Sequence, residues 1–237
     1  MRLHIIRHAD PEYYHDDLTA LGKTQAQALA QHMAKLPLYR IVCSPKGRAQ
    51  ATARPTSEHT GIPIETLDWL CELDGLKSEH DSPLLPNPVA TWDLPGHVLR
   101  QVKAGEGEIG DTLPAFPQPR TAERFAELRT GCADLLRQLH IEMSPDGWTT
   151  DRRLLGYDIA LFCHHGVGLA LLSIITNIPI ASLWRSFWLA PASITTILLE
   201  QTDMQHVNPR IICLSDTHHL PVTAQCGNTS GLLYNLR

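Results

Sequence analysis

Apolar residues in this chain come as short runs and as helical stripes, and the two alternate. The first run, Leu3-His4-Ile5-Ile6, leads into Arg7-His8, and a later one, Asp158 to Cys163, leads into His164-His165-Gly166. Short apolar runs bounded by polar or turn residues read as buried strands. Tyr39 to Cys43 is a further run, and Ser193 to Leu199 and Arg210 to Leu214 complete the set. Ile62 to Leu73 reads as a short strand followed by a loop. Between the runs, Thr19 opens a helix with Ala26, Leu29, Ala30 and Met33 on one face, and Leu36-Pro37 stops it. Ser44-Pro45 reads as the cap and first turn of a second helix, which carries Arg48 and is interrupted or ended near Pro55. Phe125, Leu128, Cys132, Leu135, Leu136 and Leu139 form the stripe of a long helix. Pro145-Asp146-Gly147 is a turn, and Val167 to Ile175 is another helix. This alternation predicts a three-layer α/β/α sandwich around a mainly parallel sheet.

Asp81 to Pro119 breaks the pattern. It holds seven of the 17 prolines and no sustained periodicity, as a linker would. Trp92, Leu94, Val98, Leu99, Ile109 and Phe116 are too apolar for a free tether, so an ordered insertion covering the sheet edge is the preferred reading. The expected organisation is a single domain over 1–237, with an insertion at about 81–119 over the active site. A hydrophobic content of 43% suffices for one sizeable core. The formal charge of -5 argues against a nucleic-acid partner. No apolar run approaches the roughly 20 residues of a membrane span. The N-terminus enters a strand at once, which leaves no room for a signal peptide and points to the cytoplasm. Six cysteines (Cys43, Cys71, Cys132, Cys163, Cys213, Cys226) show neither a C-x-x-C pair nor metal-ligand spacing and read as reduced bystanders. Cys163 stands out only for its place beside the histidine pair.

Ligands of open α/β sheets bind beyond the carboxyl ends of the strands. Two strands that deliver an arginine and imidazoles to that edge suggest phosphate chemistry rather than packing. Longer motifs point the same way. Arg7-His8-Ala9 follows the first strand, and Leu18 through Ala26 reads Leu-Thr-x-x-Gly-x-x-Gln-Ala. Ser44 through Ala53 reads Ser-Pro-x-x-Arg-Ala-x-x-Thr-Ala, and Leu70-Cys71-Glu72, His165-Gly166 and Ser215 to Leu220 come in order after it. In these motifs the chain resembles the histidine phosphatase superfamily, also called phosphoglycerate mutase-like, over most of its length.

The resemblance implies a phosphoglycerate mutase-like fold and a metal-independent phosphatase without a cofactor. His8 would attack as a neutral imidazole and form a phosphohistidine. Arg7, Arg48 and His165 would bind the phosphoryl group, whose charge spreads over its oxygens during transfer. Glu72 would protonate the leaving oxygen and later deprotonate water. Each has a plainer reading: Arg7 as a surface residue at a strand end, Arg48 as an exposed helix residue, Glu72 as one common glutamate. Strand alternation turns His164 away from His165. Neither His164-His165 nor His218-His219 has metal-ligand spacing, so no metal is expected. Arg152-Arg153 is a solvated basic loop or a grip on a distal anion, and Trp184, Phe187 and Trp188 are core or interface.

Departures narrow the function. The loop after His8 lacks the asparagine and the Gly-rich, Trp-containing segment of the cofactor-dependent mutases. Leu73-Asp74-Gly75 replaces their Arg-His-Tyr-Gly continuation, and the Gly-Glu-Ser element before the long helix is absent. The leading expectation is therefore hydrolysis of a phosphomonoester of a small metabolite. A protein phosphohistidine phosphatase and a phosphoglycerate-type mutase are the rival enzymes, and a non-catalytic phosphate-binding protein is the rival of another class.

Overall fold

The computed structural model describes residues 1–101, 118–144 and 147–225. Its main elements are β1 (Arg2–Arg7), α1 (Ala20–Met33), β2 (Leu38–Cys43), α2 (Gly47–Thr60), β3 (Ile64–Thr66), α3 (Gln118–Arg137), β4 (Ile141–Ser144), β5 (Gly147–Thr150), β6 (Asp158–Cys163), α4 (His165–Thr176), α5 (Ile180–Ser186), β7 (Ile194–Gln201) and β8 (His206–Asp216). The main sheet runs β3-β2-β6-β1-β7-β8-β5-β4. β3, β2, β6 and β1 are parallel. The remaining neighbours join antiparallel, so that β7 and β5 run against the other strands and the sheet is mixed but mostly parallel.

The central strands are mainly apolar because both of their faces are covered. Ile6, Ala160, Phe162, Ile41 and Cys43 pack with Leu29 and Met33 of α1 and Ala49 and Ala53 of α2. Leu3, Ile5, Val42, Ile159, Leu161 and Cys163 point the other way, into a larger core with α3, α4 and α5. Period-two alternation along one strand thus feeds two helical layers. Residues 81–101 join the larger core, with Leu94 and Leu99 buried and Trp92 packed against it. Their ordered part starts earlier than the composition shift, since Lys77–Ser78 pairs antiparallel with Val89–Ala90. Ile109 and Phe116 lie outside the described residues.

Two local expectations are corrected. Ser44 is not the cap of α2, which Lys46 begins with no side-chain cap bond. The Ser44 hydroxyl is engaged instead by His164 Nε2 at 2.8 Å. α2 continues through Pro55 to Thr60, and Gly61, at φ 71°, ends it. A proline removes one ladder bond, whereas Ala49, Ala53 and Thr56 bury the helix on both sides of it. The residues flanking Pro145 and Asp146 are strands of the main sheet, β4 and β5; those two residues themselves lie outside the described set. Trp184 is core, at 4% exposure, while Phe187 is exposed. Among the described residues, no helix is long and apolar enough to cross a membrane.

Phe162 is fully buried at the centre of the α1/α2 face. Phe162→Ala is expected to cost about 3–5 kcal/mol, read as a lower urea midpoint. A loss below about 1 kcal/mol would contradict the packing described.

Candidate active site

The parallel ladder aligns three strand ends. Arg7 pairs with Cys163 and Phe162 with Cys43. The ladder continues one residue beyond, His8 N–H donating to Cys163 O and Ser44 N–H to Phe162 O, each at 2.9 Å. His8, Ser44 and the His164-His165 pair are therefore neighbours at one sheet edge. His8 is 3% exposed. Its Nδ1 faces Ala9 O at 2.8 Å, and because a carbonyl only accepts, Nδ1 carries the proton and Nε2 the lone pair. Burial holds the His8 imidazole well below its ordinary pKa, with Arg7, Arg48 and His165 adding to the effect against the Ala9 bond.

Arg7 is buried and donates from Nη1 to Leu189 O at 2.6 Å. Burial lowers its pKa, while Tyr13, Glu72 and Asp93 work against that shift. Arg48, on the first turn of α2, donates from Nη1 to Asp16 Oδ1 at 2.5 Å. Asp16 Oδ2 also accepts the Gly47 N–H at 2.7 Å. Only glycine fits at position 47, since a Cβ there would lie 2.2 Å from Asp16 O. The N-terminal amide of α2 is thus spent on holding the loop 10–17. Tyr13 lies across Arg48, its ring centroid 5.5 Å from the guanidinium carbon.

Glu72 follows the short turn Asp68–Leu70 and is buried. Its Oε1 accepts from Leu73 and Val167 N–H, both at 2.9 Å, and Oε2 from Gly166 N–H at 3.0 Å. A carboxylate so placed caps the positive end of α4. Burial raises its pKa in spite of those three amides and Arg7. Gly166 is required beneath it, because a Cβ would meet Trp92 Cε3 at 2.8 Å and Glu72 Oε1 at 2.9 Å. His165 accepts the Leu189 N–H at Nδ1, at 3.3 Å, so its proton sits on Nε2 as a donor. Burial first and Arg7 second push its pKa down to about 3.

The structure therefore brings Arg7, His8, Arg48, Glu72 and His165 together. It also brings in His164, which alternation would have turned away. The strand ends at Cys163, and His164 is the residue that precedes α4, so the two-residue period no longer applies. Its ring stands edge-on to His8, 5.1 Å between centroids. Sequence reasoning missed several contributors: Leu189, which acts through its backbone, Asp16 and Tyr13 on the loop, and Trp92 and Asp93 on the insertion. Thr52, a fixed position of the third motif, accepts the Ala9 N–H at 2.9 Å. Ser215 accepts the Ala190 N–H at 2.8 Å and steadies the segment that carries Leu189. Arg152 and Arg153 are exposed before β6, at the opposite end from the site. The Cys163 thiol is buried and pushed far up in pKa, unsuited to nucleophilic attack. Cys226 lies outside the described residues. Among the described residues, no group of three or more His, Cys, Asp or Glu is arranged to hold a metal ion.

His4, His8, His164 and His165 are all held toward the neutral form by burial in the folded chain. In the unfolded chain each titrates near pH 6.5. The unfolded state then binds more protons below that value, so stability is full above about pH 6.5 and is lost as pH falls. Asp93 and Glu72, with raised folded values, act in the opposite sense. His165 alone, at about 3 folded, contributes a loss of roughly 2 kcal/mol between pH 7 and pH 5. The urea midpoint is expected to fall across that range, and less steeply in His165→Gln. Equal slopes for the two proteins would show that His165 is not buried in the neutral form.

The chain as a whole is also similar to known proteins. Residues 3–210 match the family model of the histidine phosphatase superfamily (branch 1). No curated protein matches the sequence. Among solved structures, a mycobacterial glucosyl-3-phosphoglycerate phosphatase with VO3 is 21% identical, covering 91% of this chain and 99% of its own, with a TM-score of 0.63. A phosphoserine phosphatase from Entamoeba histolytica with 3-phosphoglyceric acid is 19% identical, covering 93% and 99%, at 0.57. A putative alpha-ribazole-5'-P phosphatase from Escherichia coli is 19% identical, covering 91% and 97%, at 0.57. These likenesses establish a common fold. The chain belongs to the histidine phosphatase superfamily (branch 1), which places it among the phosphoric monoester hydrolases.

Proposed function

We propose that this protein hydrolyses the phosphomonoester of a small metabolite, without a metal, through a phosphohistidine on His8. The observation that carries the reading is the fixed tautomer of a neutral His8 among Arg7, Arg48 and His165. Its Nε2 lone pair attacks phosphorus, and the phosphorus–nitrogen bond forms as the ester phosphorus–oxygen bond breaks. Arg7, Arg48 and the Nε2–H of His165 bind the equatorial oxygens, donors preset by Leu189 and Asp16. Glu72 gives its proton to the leaving oxygen, and burial keeps that proton available. Its Oε2, which accepts one amide where Oε1 accepts two, is the oxygen that exchanges it. Glu72 then takes a proton from water, the water oxygen attacks phosphorus, and His8 leaves with its lone pair restored.

The chain works in this reading as one domain, with its insertion supplying the pocket for the alcohol half of the substrate. Trp92 and Asp93, which come from that insertion, support it by their place beside Glu72 and Arg7. Hydrolysis is favoured over a mutase because a carboxyl group at that place opposes a bisphosphate.

The test is hydrolysis of p-nitrophenyl phosphate with a chelator present. Wild type should turn over, His8→Ala should not, and Arg48→Ala should lose on the order of a thousandfold in kcat/KM. Glu72→Gln should trap a phosphorylated enzyme, seen as one added phosphoryl group in an alkaline-quenched mass spectrum. Turnover that survives in His8→Ala means another nucleophile. No turnover in wild type leaves a phosphate-binding protein.

A further inference from the structure

One charged group beside the site has no part in the chemistry above. Asp93 ends the short turn Thr91–Asp93, and that turn is rigidly mounted. Thr91 is fully buried, its N–H donating to Leu76 O at 2.9 Å and its hydroxyl meeting Ser78 Oγ at 3.0 Å. Trp92 next to it stacks over Gly166, in van der Waals range of the space that also touches Glu72, and its ring lies 6.5 Å from that of Trp184. Leu94 is buried directly after. Asp93 itself is half-buried, and its carboxyl makes no hydrogen bond or ion pair with the described residues. It lies near enough to Arg7 and Glu72 to act on both charges. Burial first and the neighbouring Glu72 carboxyl second raise its pKa to about 6 against the pull of Arg7, so it is ionised above that pH.

A carboxylate with no partner among the described residues, held close enough to Arg7 to act on its charge, is unfavourable for binding phosphate itself. It repels a dianion and weakens the field of Arg7. Its worth has to lie in the rest of the substrate. A second acid group next to the ester meets like-charge repulsion there, which discriminates against it. An ammonium group gains from Asp93 but meets Arg7 and Arg48 alongside it. An uncharged hydroxyl meets neither penalty and donates to the carboxylate, a charge-assisted bond. The half-buried Trp92 ring next to it offers a flat apolar face to carbon-bound hydrogens.

Resting on the phosphatase reading, we infer that Asp93 with Trp92 is a specificity site that selects phosphomonoesters of neutral polyhydroxy alcohols, sugar-like in chemistry, and rejects those bearing a carboxylate near the ester.

The experiment compares sn-glycerol 3-phosphate with 3-phosphoglycerate, which differ by a hydroxymethyl against a carboxylate, and adds phosphoethanolamine as the cationic arm. Each is measured as kcat/KM or, if not turned over, as Ki against p-nitrophenyl phosphate. The readout is the ratio within one protein, so folded fraction and overall rate cancel. Wild type should favour glycerol phosphate over phosphoglycerate by tenfold or more. In Asp93→Asn, and in Asp93→Ser should the first variant fold poorly, that ratio should fall at least fivefold. An equal preference in wild type and variants overturns the inference, as does failure of all three compounds to bind. A best rate for phosphoethanolamine that Asp93→Asn abolishes overturns the choice of a neutral alcohol. Turnover of p-nitrophenyl phosphate by wild type but not by His8→Ala, obtained alongside, keeps these outcomes separate from a failure of the phosphatase reading. Absence of that turnover overturns both.

Discussion

The in-register parallel pairing of β2, β6 and β1 is what the rest of the molecule depends on. In a parallel ladder all carboxyl ends leave on one side, so residues far apart in sequence meet without any long-range signal of their own. Here the last ladder bonds are made by His8 and Ser44, one residue past each strand. A shift of one residue in any of the three would exchange the two apolar faces and send His8 or His165 into a helical layer. The two cores oppose such a slip, since Phe162 and Ala160 face one set of helices and Leu161 and Cys163 the other. Site geometry and fold stability thus share one cause.

Gathering these groups has an electrostatic cost that shapes what they do. Burying two guanidinium groups among imidazoles and carboxyls in low dielectric disfavours every charged form. The response differs with the group. The imidazoles go neutral, which is the state a nucleophile and a neutral donor need. Glu72 is pushed toward its acid form while three amides hold its oxygens in place. The arginines stay charged and draw on Leu189, Asp16 and Tyr13. A single desolvated pocket thereby holds neutral imidazoles, a carboxyl group pushed toward its acid form and two guanidinium groups side by side.

Around this pocket the supports come from segments with little regular structure. Leu189 joins Arg7 to His165 through its two backbone groups, and Ser215 and Thr195 tie that segment to the antiparallel half of the sheet. The mixed sheet therefore has a division of labour. Its parallel half presents the chemistry, and its antiparallel half braces the loop that orients it. The insertion adds a third contribution, an aromatic ring set against the start of α4 and a carboxyl near Glu72 and Arg7.

Strands, helices and the five polar residues at the centre of the site were legible because each carries a local signal. Period-two and period-3.6 apolar spacing marks the elements, and Arg7-His8, Arg48, Glu72 and His165 stand inside motifs of fixed spacing. Local rules failed where tertiary contacts outweighed them. Ser44 has the chemistry of a helix cap but bonds His164, Pro55 sits inside a helix that its buried neighbours sustain, and His164 turns beside His8 because the strand has already ended. Leu189 carries no side-chain signal at all, and nothing about Asp16 or Asp93 sets them apart among the chain's acidic residues. By itself the sequence determined the family, the layers and the polar residues that gather at the sheet edge, since those follow from spacing along the chain. Only the tertiary structure decided which backbone groups orient them and which protonation states they hold, because both depend on what desolvation and distant segments bring within a few ångströms.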